Sequence, residues 1–157
     1  MEQTYVIENC KSFNARDIFE CGQCFRWNVQ EDGSYTGIFE KNVLNIKQEP
    51  EGKILITGIC DGDIEEACRK YFDLDRNYEV IKNTLAEVDD NLKEAIKYGE
   101  GIRILNQDLW EMIISFIISA NNNIPRIKGI IDRISAKYGN KIEFRGKVFY
   151  TFPTIEE

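Results

Sequence analysis

The feature that most constrains this chain is a change of hydrophobic period near residue 60. Before it, apolar residues alternate in short runs at Tyr5 to Ile7, Cys24 to Val29, Tyr35 to Phe39, Val43 to Ile46 and Ile54 to Ile56. Turn signals at Glu31-Asp32-Gly33, Glu40-Lys41-Asn42 and Pro50-Glu51-Gly52 separate them, which is the spacing of an antiparallel meander. The pattern predicts a small sheet with one buried face. After it, the spacing becomes helical: Asp63 caps a helix through Tyr71, Tyr78, Ile81 and Leu85 continue, and Asn91 to Tyr98, Gln107 to Ala120 and Asn123 to Tyr138 follow. A chain that runs strands first and helices second is α+β. Residues 141 to 152 return to β-branched and aromatic composition around Arg145-Gly146, the pattern of a short hairpin.

Composition bounds the chemistry. The 157 residues suffice for one domain or a little more, and 43% hydrophobic with 30% charged residues can bury a core. There is no histidine, which excludes histidine-activated nucleophiles and imidazole metal ligands. Any acid, base or nucleophile must be Asp, Glu, Lys, Cys or Tyr. The N-terminus carries no basic region leading into an apolar stretch, and the longest apolar run, Met112 to Ala120, is broken by Ser115. A soluble, intracellular protein is the expectation. Five cysteines, at 10, 21, 24, 60 and 68, fit reduced thiols better than a disulfide scaffold. Cys21-Gly22-Gln23-Cys24 has the spacing of half a zinc or redox site without a second half, a weak signal.

Net charge is −7, the wrong sign for a protein whose whole surface meets a polyanion. Residues 121 to 150 differ. Arg126, Lys128, Arg133, Lys137, Lys141, Arg145 and Lys147 against Asp132 and Glu143 give a local net of +5. Composition alone reads that segment as a solvated helix face. Gln107 to Ala120 is apolar nearly all round, which predicts a buried helix between covering layers. It runs into Asn121-Asn122-Asn123 and then Ile124-Pro125-Arg126, a tight helix-to-helix corner. Consecutive asparagines cap helix starts and tolerate left-handed backbone. Alternatively, amides on a rigid corner bond bases in a nucleic-acid groove. On physical grounds alone the capping reading is preferred.

Several segments together resemble the 8-oxoguanine DNA glycosylases. They are Cys21-Gly22-Gln23-Cys24-Phe25-Arg26-Trp27, Tyr71-Phe72-Asp73-Leu74-Asp75, Gly101-Ile102-Arg103-Ile104-Leu105-Asn106-Gln107-Asp108 and Ser119-Ala120-Asn121-Asn122-Asn123-Ile124-Pro125-Arg126-Ile127. They occur in the family's order, and Phe152-Pro153-Thr154 is similar to its Phe-Pro-Ser. The resemblance implies an antiparallel sheet domain at residues 1–60, helices completing it at 61–100, and the start of a helical glycosylase domain at 101–157. It implies base-excision repair: extrusion of 8-oxoguanine from double-stranded DNA and cleavage of its glycosidic bond, with lyase activity. The site residues it implies are Gly22, whose carbonyl would accept from the N7 hydrogen that guanine lacks, Asn121, filling the vacated stack, and Arg126, on the estranged cytosine. Asn122 and Asn123 belong to the same surface.

The family's catalytic lysine and aspartate lie in a helix-hairpin-helix unit after the Phe-Pro-Ser, and nothing in this chain matches that unit. Lys128-Gly129 and Asp132 read as ordinary helix residues. The chain is therefore expected to be the N-terminal half of such an enzyme, inactive alone, needing no cofactor or metal, monomeric, and working inside the cell, in the cytoplasm and nucleoid or in a nucleus. The competing readings are a non-catalytic DNA-binding fragment and a related alkylated-base glycosylase.

Overall fold

The computed structural model describes residues 1–156. Five strands form one antiparallel sheet: β1 (Gln3–Ile7), β2 (Trp27–Val29), β3 (Tyr35–Phe39), β4 (Asn42–Gln48) and β5 (Ile54–Ile59). Their spatial order is β1-β5-β4-β3-β2, so the last four are the predicted meander and β1 closes the far edge against β5. Helix α1 (Ala15–Glu20) interrupts the strands, and α2 (Ile64–Tyr71), α3 (Tyr78–Ala86), α4 (Asp90–Tyr98), α5 (Leu109–Ser119) and α6 (Ile124–Tyr138) follow. The hairpin of β6 (Lys141–Phe144) and β7 (Lys147–Tyr150) turns at Arg145 and Gly146, both at positive φ.

The helix starts are written locally. Asn14, Asp63, Asn77, Asp89, Asp108 and Asn123 each accept a hydrogen bond from a backbone N–H in the first turn of the helix that follows. Helix α1 is absent from the periodicity because six residues are too short to show one. The strand expected from Cys24 begins only at Trp27, and Arg26 just before it turns to Tyr150 O and Glu111 outside the sheet.

One face of the sheet is covered by α1 and α2 over an aromatic core. Phe19 stacks on Trp27 at 4.1 Å and Phe39 on Tyr71 at 3.9 Å, and the buried Trp27 indole donates to Tyr71 Oη at 3.1 Å. Gly37 pairs with Trp27 across β2 and β3, and a Cβ there would lie 2.3 Å from the indole. That position is empty so that the ring can lie over it.

The other face corrects the expectation of a single buried side. All five residues of β3 are buried, because the β6–β7 hairpin crosses behind the sheet and packs Phe144, Ile142 and Phe149 against Ile38, Val43 and Ile59. A second correction concerns α5, expected to be buried. Ser115 is its buried residue, while Phe116 is 76% exposed and Leu109, Met112, Ile113 and Ile117 are exposed too. Among the described residues no layer covers that face.

A charged residue ties the helices to the sheet. Arg103 is buried and donates Nε to Phe72 O at 2.8 Å, Nη1 to Ser12 O at 3.1 Å, and Nη2 to Asp73 O and to Arg76 O. Its guanidinium lies 4.1 Å from the centroid of the Tyr78 ring. Carbonyl oxygens and an aromatic face stand in for a counter-ion.

Candidate nucleic-acid interface

Gly22 follows the end of α1 at φ +88° and is exposed. A Cβ would meet no atom within 4 Å there, so glycine is required by the left-handed backbone rather than by crowding. The next residue fixes the loop. Gln23 donates its amide to Ile18 O at 3.0 Å and Arg103 O at 2.8 Å, and its Oε1 accepts from Leu105 N at 3.0 Å. Its carbonyl accepts from the Gln107 side chain at 2.6 Å. One side chain thereby straps the Gly22 loop to the segment that feeds α5. Sequence reasoning did not single out Gln23, since its partners Arg103, Leu105 and Gln107 lie 80 to 84 positions away.

Between this loop and α5 lies a cleft of about 140 Å³, lined by Gly22, Gln23, Arg26, Tyr71, Glu111 and Phe116 among others. Arg26 is buried and donates Nη2 to Tyr150 O. Its Nη1 stands 3.8 Å from Glu111 Oε1, and Nε and Nη1 have no hydrogen-bond partner among the described residues. Burial lowers the Arg26 pKa, with Glu111 and Asp132 opposing the fall. Burial pushes the Glu111 carboxyl up to about 7; Arg26 restrains that rise, and the charges of Asp108 and Glu40 add to it.

The asparagine run divides its labour. Asn122 donates its side-chain amide to Ile118 O at 2.8 Å, closing the end of α5. Asn123 caps α6 by accepting from Arg126 N at 3.0 Å. Asn121 sits at φ 53°, is exposed, and has no side-chain partner among the described residues. The capping reading thus describes the second and third asparagines, and the first projects. The Arg126 guanidinium is also exposed and makes no ion pair among the described residues.

The positive surface is narrower than the sequence count. Lys128 donates to Trp27 O at 2.6 Å and Asn28 Oδ1 at 3.1 Å, pinning α6 to the sheet. Arg145 pairs with Glu2 at 2.7 Å and bonds Thr57 at 2.8 Å, Lys147 bonds Gln30 at 2.9 Å, and Lys141 pairs with Glu143. Arg126, Arg133 and Lys137 are left without an ion pair among the described residues, as are Lys128 and Lys147, whose partners are neutral. All five thiols are free; Cys21 is exposed, whereas burial pushes Cys24 up to about 12. Among the described residues no cluster of metal-ligating side chains occurs, and no helix is long and apolar enough to cross a membrane.

Known proteins are similar to this chain in sequence and in fold. An N-glycosylase/DNA lyase of Saccharomyces cerevisiae is 32% identical over 90% of this chain and 41% of its own. The crystal structure of the Clostridium acetobutylicum 8-oxoguanine glycosylase/lyase in its apo-form superposes with a TM-score of 0.92 at 44% identity, covering 99% of this chain and 55% of that one. The same enzyme has been solved with double-stranded DNA containing cytosine opposite 8-oxoguanine. A 3-methyladenine DNA glycosylase from Archaeoglobus fulgidus shares the fold at TM-score 0.65 and 20% identity, over 97% of this chain and 56% of that one. The chain spans about half the length of these relatives. With the model of the 8-oxoguanine DNA glycosylase N-terminal domain matching residues 6–113, the cleft beside Gly22 and the asparagine corner belong to a member of the 8-oxoguanine DNA glycosylase family.

Proposed function

We propose that this chain carries the lesion- and partner-reading surface of a base-excision glycosylase acting on 8-oxoguanine in double-stranded DNA, where genomic DNA is held. The observation that carries the reading is the asparagine corner: of three adjacent amides, two close the corner and the first is left exposed beyond α5, without a partner among the described residues. Extruding a base costs a few kcal/mol of unstacking and unpairing. A rigid corner that presents an amide can occupy the gap without first being ordered. Arg126, at the start of α6, offers a planar fork for the orphaned cytosine. Gly22 offers a backbone carbonyl on the edge of the cleft. Facing an N7 hydrogen it gains a bond, and facing the N7 lone pair of guanine it is left unpaired and repelled.

The nucleophile is a separate matter. Glycosylase/lyase chemistry needs an amine to attack the sugar C1′ and form a Schiff base. Lys128 does not suit that task, because its ammonium is held by Trp27 O and Asn28 Oδ1. The chain as given should therefore yield no borohydride-trapped adduct on lesion duplex, and a band that vanished with Lys128→Ala would overturn this assignment.

Binding to duplexes carrying 8-oxoguanine opposite cytosine or adenine tests the reading. Asn121→Ala should weaken both complexes alike. Arg126→Ala should reduce the preference for cytosine by about 1–3 kcal/mol, the value of a bidentate contact to a base. An unaltered cytosine preference in a well-folded Arg126→Ala would sink the role of Arg126.

A further inference from the structure

Arg26 and Glu111 sit where three distant parts of the chain meet. Arg26 is four residues beyond Gly22 in the same loop, Glu111 is in the first turn of α5, and Tyr150, whose carbonyl accepts from Arg26, ends β7. Both side chains line the cleft and are largely withdrawn from water, with 6% and 16% of their surface exposed. At 3.8 Å the two heads attract without a hydrogen bond, and Nη1 has no other partner among the described residues. The contact is therefore held by charge, and its strength follows the ionisation of Glu111.

We propose that Glu111 is a positioning residue, whose ionisation state acts through Arg26 on the Gly22 loop, so that gain or loss of its proton changes how that loop is held against the first turn of α5. Burial pushes this carboxyl up to about 7, which leaves both forms populated near neutrality. The facing groups come from several elements. Arg26 favours the charged form; Asp108 on α5 and Glu40 in the turn after β3 oppose it. The charge of Asp132 on α6 also acts on Arg26. Cys24 and Tyr71 lie against the pair and stay neutral, burial pushing the first up to about 12 and the second well above its ordinary value. The chain has no histidine, so a titration near pH 7 is not masked by imidazole.

That Gly22 reads DNA rests on the function proposed above; the clamp itself does not. The amide resonances of Gly22 and Ser115 in this chain, followed by NMR from pH 5.5 to 8.5, should titrate with one shared midpoint near 7. Glu111→Gln should abolish the titration at both. Arg26→Met should abolish it at Gly22 and leave it at Ser115, because the link is cut while the carboxyl remains. Asp108→Asn keeps an amide oxygen for the α5 cap and should lower both midpoints by the same amount. Different midpoints in the unaltered chain, or a Gly22 titration that survives Glu111→Gln or Arg26→Met, would overturn the clamp. If the coupling is present but lesion preference does not follow pH, the DNA-reading role of Gly22 fails and the clamp stands.

Discussion

Placing Glu111 in the cleft makes the stability of this fold depend on pH in the direction opposite to most carboxylates. Its folded pKa is raised to about 7 from an ordinary 4.5, so between these values the native state binds more protons than the unfolded chain. The stabilisation is fully present below 4.5 and is lost as pH rises through 7, a span worth about 3 kcal/mol. Glu111→Gln lacks this term. Urea unfolding should find the variant more stable than the parent at pH 8, by up to about 3 kcal/mol, with the two converging near pH 5; equal differences at both pH values would contradict the burial of a charged carboxylate. Exposed carboxylates such as Glu79, lowered chiefly by its hydrogen bond to Lys82, slope the other way and cancel in the comparison. Arg103 differs from Arg26 in having acceptors for all its polar nitrogens. Arg103→Leu strands carbonyls of Ser12, Phe72, Asp73 and Arg76, and a loss of about 3 kcal/mol or more in the same measurement is expected.

At the scale of elements, the corner between α5 and α6 separates two roles that three identical residues hide. Asn123→Ala removes the α6 cap and should cost about 1 kcal/mol of stability. Asn121→Gly should leave stability unchanged or slightly raised, since φ 53° suits glycine, yet it deletes the exposed amide. Thermal melts of the two variants check the first contrast, and lesion binding per folded molecule checks the second. A fall in melting temperature for Asn121→Gly as large as that for Asn123→Ala would mean that the first asparagine also shapes the corner. The caps were legible in the sequence because a capping side chain reaches only two or three residues ahead. Which asparagine projects was indicated by the family resemblance alone and not by the residues' own chemistry, because it depends on the direction α6 takes after the corner, which its packing sets.

For the whole molecule, the consequential surface is the outer face of α5. Leu109, Met112, Ile113, Phe116 and Ile117 form an exposed apolar strip, in a chain that spans about half the length of its relatives. Contiguous apolar surface of this kind attracts hydrophobic partners. The chain should bind an apolar dye such as ANS while fully folded, and Phe116→Ser should reduce that binding. Its stability should change by less than about 0.5 kcal/mol, because a side chain that is 76% exposed contributes little burial. A large stability loss would show that Phe116 is packed in solution.

The amino-acid sequence by itself determined the elements that depend on near neighbours: the change of period at residue 60, the meander turns, the capped helices, the Arg145-Gly146 hairpin and the family resemblance. Strand alternation, helix periodicity and positive-φ turns act over a few residues, so a linear reading captures them. Only the tertiary structure decided that the hairpin would cover the second face of the sheet and that Gln23 would strap the Gly22 loop. It also decided that α5 would stand exposed and that Arg26 would meet Glu111 and the carbonyl of Tyr150. Each of those contacts joins groups tens to more than a hundred positions apart, and burial, ionisation and hydrogen-bond satisfaction are set by what arrives from such distances.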